Sequence, residues 1–363
     1  MSLDQLRGYF EPVKPGYFNT PRAGLIASRT VEVASNFYRE FGTEGSGRSG
    51  HFFEEEFPVI RAESAEFLGV HSNEVALLPN FSFGINTLIQ SLPKSTRILL
   101  FENDYPGLLL PFQVNEFEIV WLKSADGFHI DLETARELIE SQGVDVVAIS
   151  HVQHRTGFCL DLKAWSEMCF NQGCELILDM TQSLGGCEIN LSLPGISAAI
   201  GSSYKWLNAG YGSALMHVKR RFLKEFSPRI AGEGSFRIIN GEWSYRSSIK
   251  SFEPGHLNPG SLLMLGDALN MRKGEDINAM TNHTSALVKS FIEVMEKAGV
   301  KVFGAESPSR TTIVTVADQD DLRERLITAG IRFTEYTTRL RFGIHYTNSK
   351  EDLDLISHTL RGL

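Results

Sequence analysis

Residues 175–212 read ELILDMTQSLGGCEINLSLPGISAAIGSSYKWLNAGYG. Two short apolar runs in this stretch decide the fold. Leu176–Leu178 ends in an acid, Asp179, and Ala198–Ile200 runs into Gly201-Ser202-Ser203-Tyr204-Lys205. Both runs have strand length and turn residues at their ends. The acid and the lysine therefore sit where strands stop. In open α/β sheets, ligands bind outside the carboxyl ends of the strands.

An acid and a lysine so placed suit pyridoxal phosphate. That cofactor takes an amine for a Schiff base and an acid that keeps its pyridine nitrogen protonated. Lys205 offers the amine and Asp179 the acid. Gln182, three residues after the acid, offers an amide donor for the cofactor's ring oxygen. Taken singly, each reads more simply as a strand-end Asp or a surface Lys.

The longer phrases carry more. Asp179-x-x-Gln182-Ser183-x-Gly185, followed by Ser202-Ser203-Tyr204-Lys205-Trp206-Leu207-Asn208-Ala209-Gly210-x-Gly212, resembles the class V group of pyridoxal phosphate enzymes. That group includes cysteine desulfurases, kynureninases, several aminotransferases and an epimerase. Tyr204–Gly212 most resembles kynureninase. The resemblance runs from about Asn19 to the C-terminal helix and is strongest between Leu99 and Gly212. It implies an α/β protein of fold type I, with a large mixed-sheet α/β/α domain over residues 20–250. A smaller α+β domain over residues 255–363 would be joined by an N-terminal arm, residues 1–19.

Composition agrees with a folded enzyme. With 363 residues, 42% of them hydrophobic, the chain can bury more than one core. A net charge of −9 removes a sequence-wide electrostatic case for nucleic acid. No apolar run approaches the length of a membrane span, and the first thirty residues lack a signal-peptide pattern. The four cysteines, Cys159, Cys169, Cys174 and Cys187, form neither a C-x-x-C pair nor a zinc spacing, so no metal is expected. The simplest reading is a soluble cytoplasmic protein with free thiols.

Along the chain, a helix is expected over Leu25–Phe41. The stretch Gly42–His51 contains a formal G-x-G-x-x-G at Gly45, Gly47 and Gly50. A dinucleotide fingerprint needs a strand before it, and here a helical pattern precedes it. It reads as a mobile loop, with Arg48 and His51 either solvated or facing the site. Strands are expected at Glu74–Leu78, Arg97–Phe101, Glu118–Leu122, Asp145–Ser150, Thr311–Val316 and Ile331–Tyr336. Helices alternate with them, the α/β pattern. Residues 226–260 read as long loops.

The remaining candidates lie at predicted strand ends. Asn80–Asn86 opens a helix, and such a terminus is an anion site. Phe81 would offer a backbone N–H and Ser82 a hydroxyl to the cofactor phosphate; Ser82 reads equally as an N-cap. By resemblance, Tyr105 lies against the cofactor face and His154 near its ring oxygen. Ser202 and Tyr204, beside the lysine, count with the cofactor-binding groups. Phe252-Glu253-Pro254-Gly255-His256 resembles the family's Phe-Glu-x-Gly-Thr segment, which reaches the phosphate of a partner subunit. His256 stands where the family has Thr. The resemblance therefore implies a homodimer with shared active sites. Arg341, in Arg341-Phe-Gly-Ile-His-Tyr-Thr-Asn-Ser, matches the family arginine that holds a substrate carboxylate. Arg339 is its rival, since both share one side of a strand.

These residues point to an enzyme acting on an amino acid or keto acid. Three readings stand: an aminotransferase; a kynureninase-like hydrolase, lyase or epimerase; and a non-catalytic binding protein on the same fold. A desulfurase needs a reactive cysteine in the C-terminal part of the chain, and all four cysteines lie between residues 159 and 187.

Overall fold

The computed structural model describes residues 3–10, 13–226, 230–273, 277–319 and 321–361. Seven strands form the main sheet: β1 (Val75–Leu78), β2 (Arg97–Phe101), β3 (Glu118–Leu122), β4 (Val146–Ser150), β5 (Glu175–Asp179), β6 (Ile196–Ser202) and β7 (Ala214–Val218). Their order is β1-β7-β6-β5-β4-β2-β3. Neighbours among β2 to β6 are parallel. β7 runs antiparallel to β6 and to β1, so β1 points the same way as the other five.

The sequence explains why this sheet is central. Its parallel strands are continuous apolar runs, the signature of strands covered on both faces. Alternate residues leave on opposite sides. Leu77, Leu99, Val147, Leu176, Leu178 and Leu215 pack on one face with residues of the helices Ser28–Glu44, Leu162–Gln172 and Pro259–Arg272. Ala76, Leu78, Ile98, Leu100, Ala148 and Ile177 pack on the other with the helices Phe81–Ile89 and Pro106–Val114. The result is a three-layer α/β/α unit.

A two-stranded hairpin follows, β8 (Phe236–Ile239) with β9 (Glu242–Tyr245). Then β10 (Ile313–Ala317), β11 (Thr334–Glu335) and β12 (Arg339–Gly343) form an antiparallel sheet, order β10-β12-β11. It has its own core, including Phe291, Val314, Val316, Leu340, Phe342 and Ile356. Phe18 from the N-terminal segment is buried in that core. Its neighbours Tyr17 and Asn19 bridge to Arg332 and Gly343.

Three expectations are corrected. The stretch Gly42–His51 is no loop: helix Ser46–His51 leads through a π turn, Phe52–Glu56, directly into helix Phe57–Leu68. Gly45, at φ 55°, makes the break between the helix Ser28–Glu44 and this one. Arg48 holds the turn together. It is buried over the Phe37 ring and paired with Glu40 and Glu56. Residues 226–260 include the β8–β9 hairpin, with Asn240-Gly241 at its tip, a turn pair suited to positive φ. The strand expected over Ile331–Tyr336 shrinks to Thr334–Glu335, because Arg332 pairs instead with the N-terminal segment.

One buried ion pair ties the loop after β9 to the sheet. Arg61 donates to both carboxylate oxygens of Glu253, at 2.7 and 2.6 Å, and to the Val75 carbonyl. Glu253 also accepts from the Leu77 backbone N–H, at 2.7 Å. Removing one partner strands a buried charge. We expect Glu253→Ala to destabilise the protein by about 3–5 kcal/mol in urea unfolding. A loss under ~1 kcal/mol, the range of a surface pair, would show that this pair holds nothing together.

Candidate active site

The six co-directed strands release their carboxyl ends along one edge. From there come Asn80–Phe81 after β1, Asp104–Tyr105 after β2, His151–His154 after β4, Asp179 ending β5, and Tyr204–Lys205 after β6. Register brings them side by side: Ser150 pairs with Asp179, and Asp179 with Ile200.

Lys205 is buried, 8% exposed. Its Nζ lies between two rings, 5.9 Å from the Tyr105 centroid and 5.7 Å from that of Tyr204. Burial pulls its pKa down to about 8, against the opposing pull of Asp179. The backbone here is roofed by the N-terminal segment. Gly24 donates to the Tyr204 carbonyl at 2.9 Å, and a Cβ on Gly24 would lie 1.9 Å from the Lys205 carbonyl oxygen. Only glycine fits there. The turn after the lysine closes on Asn208, at φ 62°, whose amide donates to the Leu25 carbonyl.

Asp179 is buried, and burial raises its pKa to about 6 while hydrogen bonds from Thr181 pull it down. The Thr181 backbone N–H donates to it at 2.8 Å. A second acid stands nearby. Asp104 accepts from the Ser150 N–H at 2.8 Å, the Ser150 hydroxyl at 2.5 Å and the Gln153 amide at 3.1 Å. Burial raises its pKa too. Sequence reading passed over Asp104; its signal was a second acid, next to Tyr105, at a strand end.

The helix start after β1 shows which residue caps it. Asn80, not Ser82, caps the helix Phe81–Ile89, accepting from the Phe83 N–H at 2.8 Å. Ser82 is exposed at the first turn, free of the capping role. The Phe81 N–H donates to the Ser202 hydroxyl at 3.2 Å, which locks β6 to that helix start. Gln182 donates to the Pro21 carbonyl at 3.0 Å and accepts from the Trp206 indole at 2.8 Å. Its amide nitrogen and oxygen thus each hold a protein partner, and one amide hydrogen remains.

Tyr105 is half-exposed, edge-on to His154 at 5.5 Å and to Phe81 at 6.3 Å. His154 is driven down to about 3, mainly by burial and then by Arg341, so its imidazole is neutral. Tyr204 stacks on Tyr211 at 4.4 Å, and burial lifts its pKa to about 12. Arg341 and Arg339 part company. Arg341 is buried and donates to the His154 carbonyl at 2.6 Å and to the Thr334 hydroxyl at 2.9 Å. Arg339 lies over the Phe303 ring, 3.9 Å from its centroid. His256 stands apart, exposed and edge-on to Phe53 at 5.2 Å.

The aminotransferase class-V family profile matches residues 17–356. The chain belongs to this family. Among relatives, the uncharacterized aminotransferase YcbU of Bacillus subtilis is 21% identical over 82% of this chain and 81% of its own length. A probable cysteine desulfurase of Pyrococcus abyssi is 20% identical over 79% of this chain and 74% of that protein. The kynureninase of Deinococcus radiodurans is 25% identical over 65% of this chain and 58% of its own length. In fold, the chain is similar to the cysteine desulfurase of Thermococcus onnurineus NA1, with a TM-score of 0.86 at 19% identity, over 99% of this chain and 98% of that one. The large mixed sheet with flanking helices is thus the fold-type-I architecture. Among the described residues, no helix is long and apolar enough to cross a membrane.

The raised pKa of Asp179 has a consequence for the protein without cofactor. Its folded value of about 6 exceeds the ordinary 3.8, so the folded state keeps a proton that the unfolded chain has lost. Stability from this group therefore falls as pH rises from about 4 to about 6. We expect Asp179→Asn to remove that fall. The melting-temperature gain of the variant apoprotein should grow across this window and level off above it. A gain that is flat with pH would place the raised pKa elsewhere.

Proposed function

We propose that this protein is a pyridoxal-phosphate-dependent aminotransferase acting on an amino-acid substrate. The observation that carries the reading is a buried lysine beside a buried acid, at the strand ends of a class V chain. The pocket has hydrogen-bonding capacity left over, which fits a charged aromatic cofactor and a carboxylate. Among the described residues, Lys205 makes no hydrogen bond through Nζ, and the Asp179 carboxylate accepts from Thr181 alone. Arg341 Nε and His154 Nδ1 are buried without partners.

When bound, pyridoxal phosphate supplies a ring that withdraws electrons from the substrate's α-carbon. The chain's own groups do the rest. Lys205 provides the amine for attachment, and its Nζ, once free, takes and returns a proton as a general base near neutral pH. Asp179, held in place by Thr181, would accept from the pyridine nitrogen. The first turn of the helix Phe81–Ile89, with Ser82 exposed on it, would hold the phosphate. Tyr105, beside Lys205, would offer its ring as a stacking surface for the cofactor. Neutral His154 serves as a hydrogen-bond partner and adds no charge. Arg341 uses the part of its fork not spent on His154 and Thr334 to hold the substrate carboxylate.

Transamination is favoured because it needs only the Lys205 proton relay. A desulfurase requires a thiol at the substrate, yet the cysteines are committed elsewhere. Cys169 and Cys174 are buried in the core, and Cys159 and Cys187 pack with Val152, Trp206 and Ile313. Incubating the holoprotein with amino acids, without an acceptor, should release one equivalent of 2-oxo acid per site. Borohydride reduction and peptide mapping of the resting protein should label Lys205. Repeated turnover that releases a cleaved side-chain fragment would replace this reading with the hydrolase or lyase one. A label on another lysine would refute the assignment of Lys205.

The finer reading includes a cytoplasmic homodimer. His256 is exposed and Phe252-Glu253 are anchored beneath it, so the segment is held rigid at the surface, ready to reach a partner's phosphate site. Closed two-fold pairs are the commonest oligomers. Light scattering at micromolar concentration should give twice the chain mass. An active monomer would contradict the shared site.

A further inference from the structure

A second cluster of reactive side chains lies outside the lysine pocket. His151, Cys159 and Cys187 each bring one ligand atom to a common point, all within 4.8 Å of one another. They come from three separate segments. His151 follows β4, and its N–H donates to the Asp179 carbonyl at 3.0 Å. Cys159 pairs through a bridge between Val152 and itself, and its N–H donates to the Ser309 carbonyl at 2.7 Å. Cys187 closes the turn that carries Thr181 and Gln182, donating to the Ser183 carbonyl at 3.1 Å.

The geometry is that of metal ligands. His151 Nε2 lies 3.4 Å from Cys159 Sγ. Tetrahedral zinc, with bonds of about 2.3 Å to sulfur and 2.0 Å to nitrogen, sets such a pair about 3.5 Å apart. His151 is 3% exposed, and its Nδ1 has no hydrogen-bond partner. A buried imidazole facing only a thiol is poorly satisfied as a structural histidine. Cys159 and Cys187 are partly buried at the edge of a small core with Val152, Trp206 and Ile313. The sequence hid this site, because 8 and 28 residues separate Cys159 from His151 and from Cys187.

We propose that His151, Cys159 and Cys187 form a three-ligand site for a soft divalent metal ion of the zinc class, with its fourth position open. Binding displaces the two thiol protons to solvent and leaves the imidazole neutral. Thiolate and imidazole ligands together select zinc over magnesium or calcium. The ion would fasten the β4 exit, the segment bonded to Ser309, and the turn behind Asp179. It would therefore brace the wall of the lysine pocket without entering it.

The test uses the full-length protein with its cofactor bound. Zinc is titrated in competition with a chromophoric chelator, and metal is counted by mass spectrometry. One zinc per chain is expected, together with a higher melting temperature that chelation reverses. Cobalt should give intense ligand-field bands in the red, clear of cofactor absorption. Cys159→Ser and Cys187→Ser should each weaken binding by more than the ~10–100-fold that loss of an outer-shell partner costs. Cys169→Ser should bind as the parent does. Should a variant fail to fold, the parent alone decides: zinc should block alkylation of both Cys159 and Cys187. Absence of stoichiometric zinc, binding that survives both serine variants, or recovery of Cys159 and Cys187 as a disulfide in the metal-treated protein would each overturn the site.

Discussion

Everything at the lysine edge depends on placing opposite charges together in a dry pocket. Lys205, Asp179, Asp104 and Arg341 are all less than a tenth exposed. None could be buried alone as an ion at modest cost. Together, two cations and two acids nearly balance. The shifts record the strain of that arrangement. Burial raises both acids and lowers Lys205; the Asp179–Lys205 attraction opposes the shifts of that pair, and hydrogen bonds from Ser150 and Gln153 oppose that of Asp104. The backbone absorbs what remains, through Thr181 on Asp179 and Ser150 on Asp104. A pocket tuned in this way has an amine that can lose its proton near neutrality, which ordinary lysine cannot.

The sheet is what makes the arrangement possible. Parallel strands deliver their carboxyl ends to one edge, so residues 80 to 205 in the chain become neighbours there. β7 is the exception that closes the set. It runs back against β6, and its first residue, Ala214, pairs with Ser202. The turn Tyr204–Gly212 between them is thereby short and fixed. Tyr211 stacks on Tyr204 within that turn.

Much of this was legible in the sequence for a physical reason. Buried strands are local apolar runs, and Asp179 and Lys205 sit at their ends by counting. What was not legible involves one local competition and several contacts remote in sequence. Asn80 outcompetes Ser82 as cap through a bond three residues on, a local effect that the serine's appeal as a phosphate ligand obscured. The Gln182 amide meets Pro21, 161 residues away. Gly42–His51 looks like a loop by its glycines, yet Arg48 between Glu40 and Glu56 over Phe37 outweighs their low helix propensity. The different surroundings of Arg341 and Arg339 were hidden too, since Phe303, which lies under Arg339, comes from a segment that periodicity cannot place.

The Gly24 roof over Lys205 bears on how the chain acquires its site. The segment that forms the roof is anchored by Phe18 in the core around β12, and the Gly343 N–H donates to the Phe18 carbonyl at 2.7 Å. During synthesis, residues 17–24 leave the ribosome long before residues 339–343. The seven-stranded sheet has all its members by residue 218, yet the first segment has no seat until the final strand is present. The lysine is thus covered only once β12 has been made. A chain truncated before β12 would carry its chemistry-bearing residues in the right order and leave them open to water.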